Sequence, residues 1–199
     1  MSVNTRLARV SPRPHVIALV ALVIVGAALM TSLSGAHASN AAEKYVGRIG
    51  NGVLAAANAG SVVQFRSILR RHADLSVIAK FSLGRYARRL PSHQKAHVRR
   101  LVESMITKAF ATYSGRLRGT RVEVTGSTNS GRYGIVVSTK IVGGAGGQIK
   151  WRLAKRGGGF RVIDVSVFGV WLSQRLRSVI VTKLKQRNGN FDAAFASLR

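Results

Sequence analysis

From Thr120 onward, apolar and polar residues alternate with a period of two. Val122 and Val124 alternate with Arg121, Glu123 and Thr125. Ile135, Val137, Thr139 and Ile141 alternate with Val136, Ser138 and Lys140. Ile149, Trp151 and Leu153 alternate with Gln148, Lys150 and Arg152. A fourth run, Gly159 to Val167, sets Ile163, Val165 and Val167 on one face. Alternation of this kind marks a strand with one buried face. The joints at 126–134, 143–147 and 157–159 are rich in glycine, which suits antiparallel hairpins. Gly169 breaks the fourth run, and Leu172, Leu176, Val179, Ile180 and Leu184 then recur at helical spacing.

Ahead of the strands the spacing is helical. Ala41 to Ala59 is alanine-rich with Tyr45, Ile49 and Val53 on one stripe, a helix or a frayed lead-in. Val62, Phe65, Ile68 and Leu69 predict a short amphipathic helix. Asp74 is placed to cap the next one, Leu75 to Phe81, which Gly84 closes. Pro91-Ser92 opens the strongest helical pattern, with Val98, Leu101, Val102, Met105, Ala109, Phe110 and Tyr113 three or four apart. Phe191, Ala194, Phe195 and Leu198 predict a closing turn or two. Each strand has one apolar face, so helices must cover one side of the sheet. The expected fold class is α+β, one twisted antiparallel sheet of about four strands covered on one face by helices.

The first 38 residues read differently. Arg6, Arg9 and Arg13 precede an apolar run of 15 residues, Val16 to Met30, and Ala36-His37-Ala38 follows. This is the pattern of a secretory signal peptide over residues 1–38, cut after Ala38. The alternative is an uncut membrane anchor, against which the apolar run is shorter than the ~20 residues a membrane span needs. The expected mature part is a single exported domain over 39–199. The chain carries 32 Lys+Arg against 6 Asp+Glu, a net charge of +26. Without the three leader arginines it is still +23. Such charge predicts attraction to anionic surfaces, and export removes nucleic acid from the expected partners. There is no cysteine, hence no disulfide and no thiolate chemistry.

Candidate chemistry is sparse. Ser, His and Asp form no recognisable triad, and no Gly-x-Ser-x-Gly elbow occurs. His93 and His97 stand four apart but lack the glutamate of a zinc-protease motif, and Lys95, Arg99 and Arg100 flank them. A solvated basic face is expected there, with no metal. The 143–147 run lacks the Gly-Lys-Ser/Thr ending of a phosphate loop. Asp164 sits inside an apolar strand, where an unpaired charge is very costly. It is expected to form a structural ion pair with an arginine or to cap backbone donors. A catalytic acid is the alternative, without a nearby second carboxylate. No cofactor and no enzymatic activity are expected. The large apolar residues, Phe81, Tyr86, Met105, Phe110, Trp151, Phe168 and Trp171 among them, are dispersed while Gly and Ala abound, as in an incompletely filled interior.

Residues Phe81-Ser82-Leu83-Gly84-Arg85-Tyr86, Gln94 and the helix to Tyr113 resemble the front half of MlaC-type (toluene-tolerance) periplasmic phospholipid-binding proteins. The back half is similar too: Val137 to Ile141, Ile149 to Leu153, Phe160 to Val165, then Gly169-Val170-Trp171-Leu172 and Arg175 or Arg177. The resemblance spans roughly residues 45–198, and a hopanoid-associated branch is equally similar. Departures are Phe160 in place of a usual Trp, Trp171 in place of a Ser, aliphatic Val98 and Leu101, and a more basic charge.

The resemblance implies a soluble carrier holding acyl chains between sheet and helices. It would move a phospholipid or hopanoid-type lipid between an outer-membrane lipoprotein and an inner-membrane ABC transporter complex. Each buried methylene is worth ~0.8 kcal/mol, so a chain of roughly 16 carbons needs ~12 kcal/mol of apolar wall. A pocket between layers supplies that where a surface groove does not. Candidate lipid-binding residues are Phe81, Leu83, Tyr86, Leu101, Met105 and Phe110 on the helices. Val137, Ile141, Ile149, Trp151, Leu153, Val165 and Val167 are the candidates on the strands, with Trp171 and Leu172 at the joint. Trp in place of Leu101 or Leu153 is expected to expel lipid while the fold survives. Two other readings stand beside the carrier: a basic envelope adaptor binding anionic surfaces by charge alone, and a small hydrolase centred on Asp164.

Overall fold

A computed structural model of the chain describes residues 39–144 and 146–198; the leader expected over residues 1–38 lies outside the described residues. The first described helix, α1, covers 39–58, and its Ala42, Val46 and Ile49 are buried on one stripe. Two glycines let this helix lie close on the sheet. A Cβ on Gly50 would stand 3.2 Å from Val122 Cγ1, and one on Gly47 3.8 Å from Val124 Cγ2. Helix α2 (Val62–His72) is capped by Ser61, whose hydroxyl accepts from the Gln64 N–H at 3.2 Å. Its Ile68 lies against Gly52 of α1, and its Phe65 ring stacks on Phe110 at 3.9 Å.

Helix α3 (Leu75–Leu83) begins at Asp74, which accepts from the Val77 N–H at 3.0 Å. It ends at Gly84, whose φ of 54° is the left-handed value glycine tolerates. Two short 3-10 turns, Gly84–Arg89 and Ser92–Gln94, lead into α4 (Lys95–Tyr113). After the sheet come α5 (Leu172–Gln186) and α6 (Phe191–Ala196). Leu83, Leu101, Val102, Ile180, Leu184 and Phe195 are all at most 4% exposed and form one core among α3, α4, α5 and α6.

The strands are β1 (Arg121–Asn129), β2 (Ile135–Val142), β3 (Gly147–Arg156), β4 (Gly159–Val167) and the two-residue β5 (Val170–Trp171). They form one open antiparallel sheet in chain order. The pattern of about four strands is therefore close, and the fifth is too short for periodicity to register. Two bulges interrupt the ladder, one after Val124 and one where β3 passes from Arg152 to Leu153. The second matters for which side chains share a face. Arg152 pairs with Asp164 and Leu153 with Val162, so Ile163 is the extra residue. Simple alternation groups Ile163 with Val165, whereas the register sets Val162 opposite Leu153 and Val165 opposite Trp151. Beyond β5, the free edge of β4 is used by the α2–α3 turn. Ala73 bridges Val162, and the Asp74 N–H donates to the Val162 carbonyl at 2.8 Å.

Candidate functional site

The strand alternation builds one continuous apolar face of the sheet. Cross-strand register sets Ile135, Leu153 and Val162 in one row, Val137, Trp151 and Val165 in the next, and Thr139, Ile149 and Val167 in a third. On β2 the face stays buried throughout, with Val137 and Thr139 both at 0% exposure, but on β3 and β4 burial falls toward the β4–β5 turn. Leu153 is 1% exposed and Val162 5%; Trp151 is 7% exposed; Ile149 and Val165 are half-buried; Val167 is 43% exposed. The face is thus closed at the start of β4 and opens at its end. Its polar atoms are satisfied within it. Trp151 Nε1 donates to Thr139 Oγ1 at 3.0 Å, and that hydroxyl donates to the Ile149 carbonyl at 3.2 Å. An apolar surface without stray donors suits hydrocarbon.

The strand candidates Val137, Ile141, Ile149, Trp151, Leu153, Val165 and Val167 all belong to this face. The helix candidates lie elsewhere. Leu83, Tyr86 and Leu101 are buried in the interhelical core, where the Phe191 ring meets Tyr86 edge-on at 6.5 Å. Met105 and Leu172 pack against the same core, half-buried. Phe110 is stacked on Phe65 beside Ala56 and Ala57. Phe81 is half-buried, and its carbonyl accepts two hydrogen bonds from Arg177, at 2.9 and 2.6 Å. What the candidate list omits on the sheet side is Val162, Ile135 and Thr139, with Val46 and Ile49 of α1. Ile135 and Thr139 stand in the alternation itself; Val162 is reached only through the bulge.

Trp171 is on the other face of the sheet. It pairs with Ser166, and the Arg152 guanidinium lies 4.0 Å from its ring centroid, a cation–π stack. Asp164 is beside them, 1% exposed. Its Oδ2 accepts from the Ser173 hydroxyl at 2.6 Å, and its Oδ1 accepts from the N–H groups of Ser173 at 3.1 Å and Val165 at 3.0 Å. Arg152 Nη1 stands 3.9 Å from Oδ2. Helix α5 has no side-chain cap of its own, so a strand carboxylate supplies one across the joint.

Where α1, α2 and β4 meet, the Tyr45 hydroxyl lies 3.1 Å from His72 Nδ1, with the Phe160 ring 5.7 Å from that of Tyr45. Burial lowers the His72 pKa below its ordinary value, helped by Arg71, Arg161 and Arg48. Burial raises that of Tyr45, against the opposing pull of Arg161 and Arg48. His97 Nδ1 lies 3.2 Å from Gln94 Oε1 and its ring meets Phe195 edge-on. Among the described residues no three His, Asp or Glu side chains group closely enough to hold a metal ion.

Comparison with known proteins gives two results. The family described as "MlaC protein" matches residues 40–199. A solved phospholipid-binding protein from Ralstonia solanacearum, determined in complex with a phospholipid, shares the fold. It aligns with a TM-score of 0.66 at 18% identity, covering 78% of this chain and 97% of its own. No curated relative matches.

Proposed function

This chain belongs to the MlaC protein family, and from that premise we propose that it is a periplasmic carrier of phospholipid or a related lipid. The observation that carries the reading is the graded apolar face of β3 and β4, closed at Leu153 and open at Val167. An acyl chain laid along it reaches buried wall at one end while its head group stays near solvent at the other. At ~0.8 kcal/mol per methylene, the hydrocarbon supplies the affinity without any charged contact deep in the site. The Ralstonia protein of the same fold holds a phospholipid, which supports the same use here. The lining in this proposal is Val137, Ile149, Trp151, Leu153, Val165 and Val167, with α1 lying over the neighbouring β1. An exported leader over residues 1–38 would deliver the domain to the periplasm. There it would pass lipid between an outer-membrane lipoprotein and an inner-membrane ABC transporter complex.

Protein recovered after export should release lipid on organic extraction and show a lipid-bound mass in native mass spectrometry. Val165→Trp fills the half-open part of the face without overpacking the closed part. It should lose bound lipid while keeping its circular dichroism and melting transition. Lipid-free wild-type protein from several expression hosts would overturn the proposal. The net charge favours one competing reading, an adaptor held to anionic surfaces by charge alone. That reading requires binding abolished by moderate salt together with no extractable lipid.

A further inference from the structure

We propose that the end of the domain carrying Phe168 docks on an anionic lipid bilayer, with Phe168 as the side chain that enters the membrane interface. Phe168 is 70% exposed and its neighbour Val167 43%. Phe168 and Gly169 form the two-residue turn between β4 and β5, with φ of 51° and 79°. A turn with both central residues left-handed favours Asn, Asp or Gly at its first position, and a bulky aromatic there is strained. Burial does not repay that strain, because most of the ring faces solvent. The ring nonetheless rests over Gly147, where a Cβ would stand 2.8 Å from Phe168 Cε1.

Gly144 belongs to the same β2–β3 connection as Gly147 and has its own neighbours. The Cβ position of Gly144 is 3.2 Å from Thr120 Cγ2 and 3.6 Å from the Arg116 carbonyl, which ties the loop to the segment after α4. There Tyr113 is 56% exposed, with the Arg116 guanidinium 5.5 Å from its ring centroid. An exposed ring at Gly147, and a second exposed ring with its arginine on the segment that Gly144 touches, match the chemistry of a head-group layer. Aromatic rings settle at that depth, and guanidinium pairs with phosphate. Charge selects the occupant, because a chain that is still +23 without the leader arginines is drawn to an anionic surface. The patch adjoins the open end of the β3–β4 face, so docking would present that opening to the membrane. This last point rests on the carrier reading; the docking geometry does not.

The chain has no cysteine, so Phe168→Cys gives a single site for an environment-sensitive dye. Val179→Cys on α5, also exposed, is the control. Exported protein is mixed with vesicles of phosphatidylethanolamine and phosphatidylglycerol, and with phosphatidylcholine vesicles. The label at 168 should brighten several-fold and shift to the blue on the anionic vesicles, while the label at 179 stays dim. Unlabelled Phe168→Asn, which suits the turn, should keep its fold and bind the anionic vesicles about tenfold more weakly. A dim 168 label on vesicles that retain the protein, equal brightening at 179, or undiminished binding by Phe168→Asn would each overturn the docking face. Extraction of the same preparations separates the two proposals. Lipid present with a dim label removes the docking face alone, and brightening without extractable lipid removes the carrier alone.

Discussion

At the residue scale, Asp164 shows how one acid can be placed inside an apolar strand. Three donors from Ser173 and Val165 hold it, so its charge is compensated by hydrogen bonds and the start of α5 rather than by solvent. Asp164→Ala leaves those donors without an acceptor. It should destabilise the fold by about 2–3 kcal/mol, and Ser173→Ala by about 1 kcal/mol, since the backbone donors to the carboxylate remain. Denaturant titration reads both values, and equal losses would contradict the capping role. His72 sets a pH dependence. Burial and the neighbouring arginines lower its pKa, so the unfolded chain takes up a proton more readily than the fold does. The contribution is fully present above the unfolded value of about 6.5 and is lost as pH falls through it toward the lower folded value. Chemical denaturation from neutral to mildly acidic pH should show this loss, and His72→Gln should flatten that part of the curve.

At the scale of elements, two devices position the sheet's apolar face: a close helix approach and a bulge. Helix α1 lies on β1 because Gly47 and Gly50 face Val124 and Val122. Glycine inside a helix costs about 1 kcal/mol relative to alanine, and the burial of Val46 and Ile49 offsets it. Gly50→Leu drives a side chain into Val122 and should cost about 1–3 kcal/mol through overpacking. A melting temperature equal to wild type would mean that α1 does not set the spacing. The bulge at Ile163 is the second device. It turns β4 so that Val162 and Val165 both meet β3 residues of the apolar face, while Asp164 faces Ser173. On the edge of β4 left uncovered by the short β5, Ala73 and Asp74 pair with Val162, which shortens the exposed pairing edge.

At the scale of the whole molecule, the six acids are all engaged. Glu43 accepts from Ser127, Asp74 caps α3, and Glu103 pairs with Arg66 and Arg70. Glu123 pairs with Arg121, Asp164 holds Ser173, and Asp192 accepts from Gln94. The remaining basic charge acts as a long-range field. Association with anionic vesicles should therefore slow steeply between low salt and ~0.15 M, where the Debye length is ~8 Å. A salt-independent association rate in stopped-flow mixing would contradict steering. Much of this was legible in the amino-acid order. Period-two alternation determined four strands and their apolar side. The caps at Asp74 and Gly84 determined where α3 starts and stops. The resemblance from Phe81-Ser82-Leu83-Gly84-Arg85-Tyr86 to Gly169-Val170-Trp171-Leu172 determined the family. These are local signals, carried by the backbone preferences and spacing of a few residues. Which helical residues pack among themselves was decided by tertiary structure alone. Leu83, Tyr86 and Leu101 have the same hydrophobicity and spacing whether they meet other helices or a lipid. The register shift at Ile163, the placement of Trp171 on the far face and the seat of Phe168 over Gly147 depend on partners distant in the chain, and one-dimensional periodicity does not encode them.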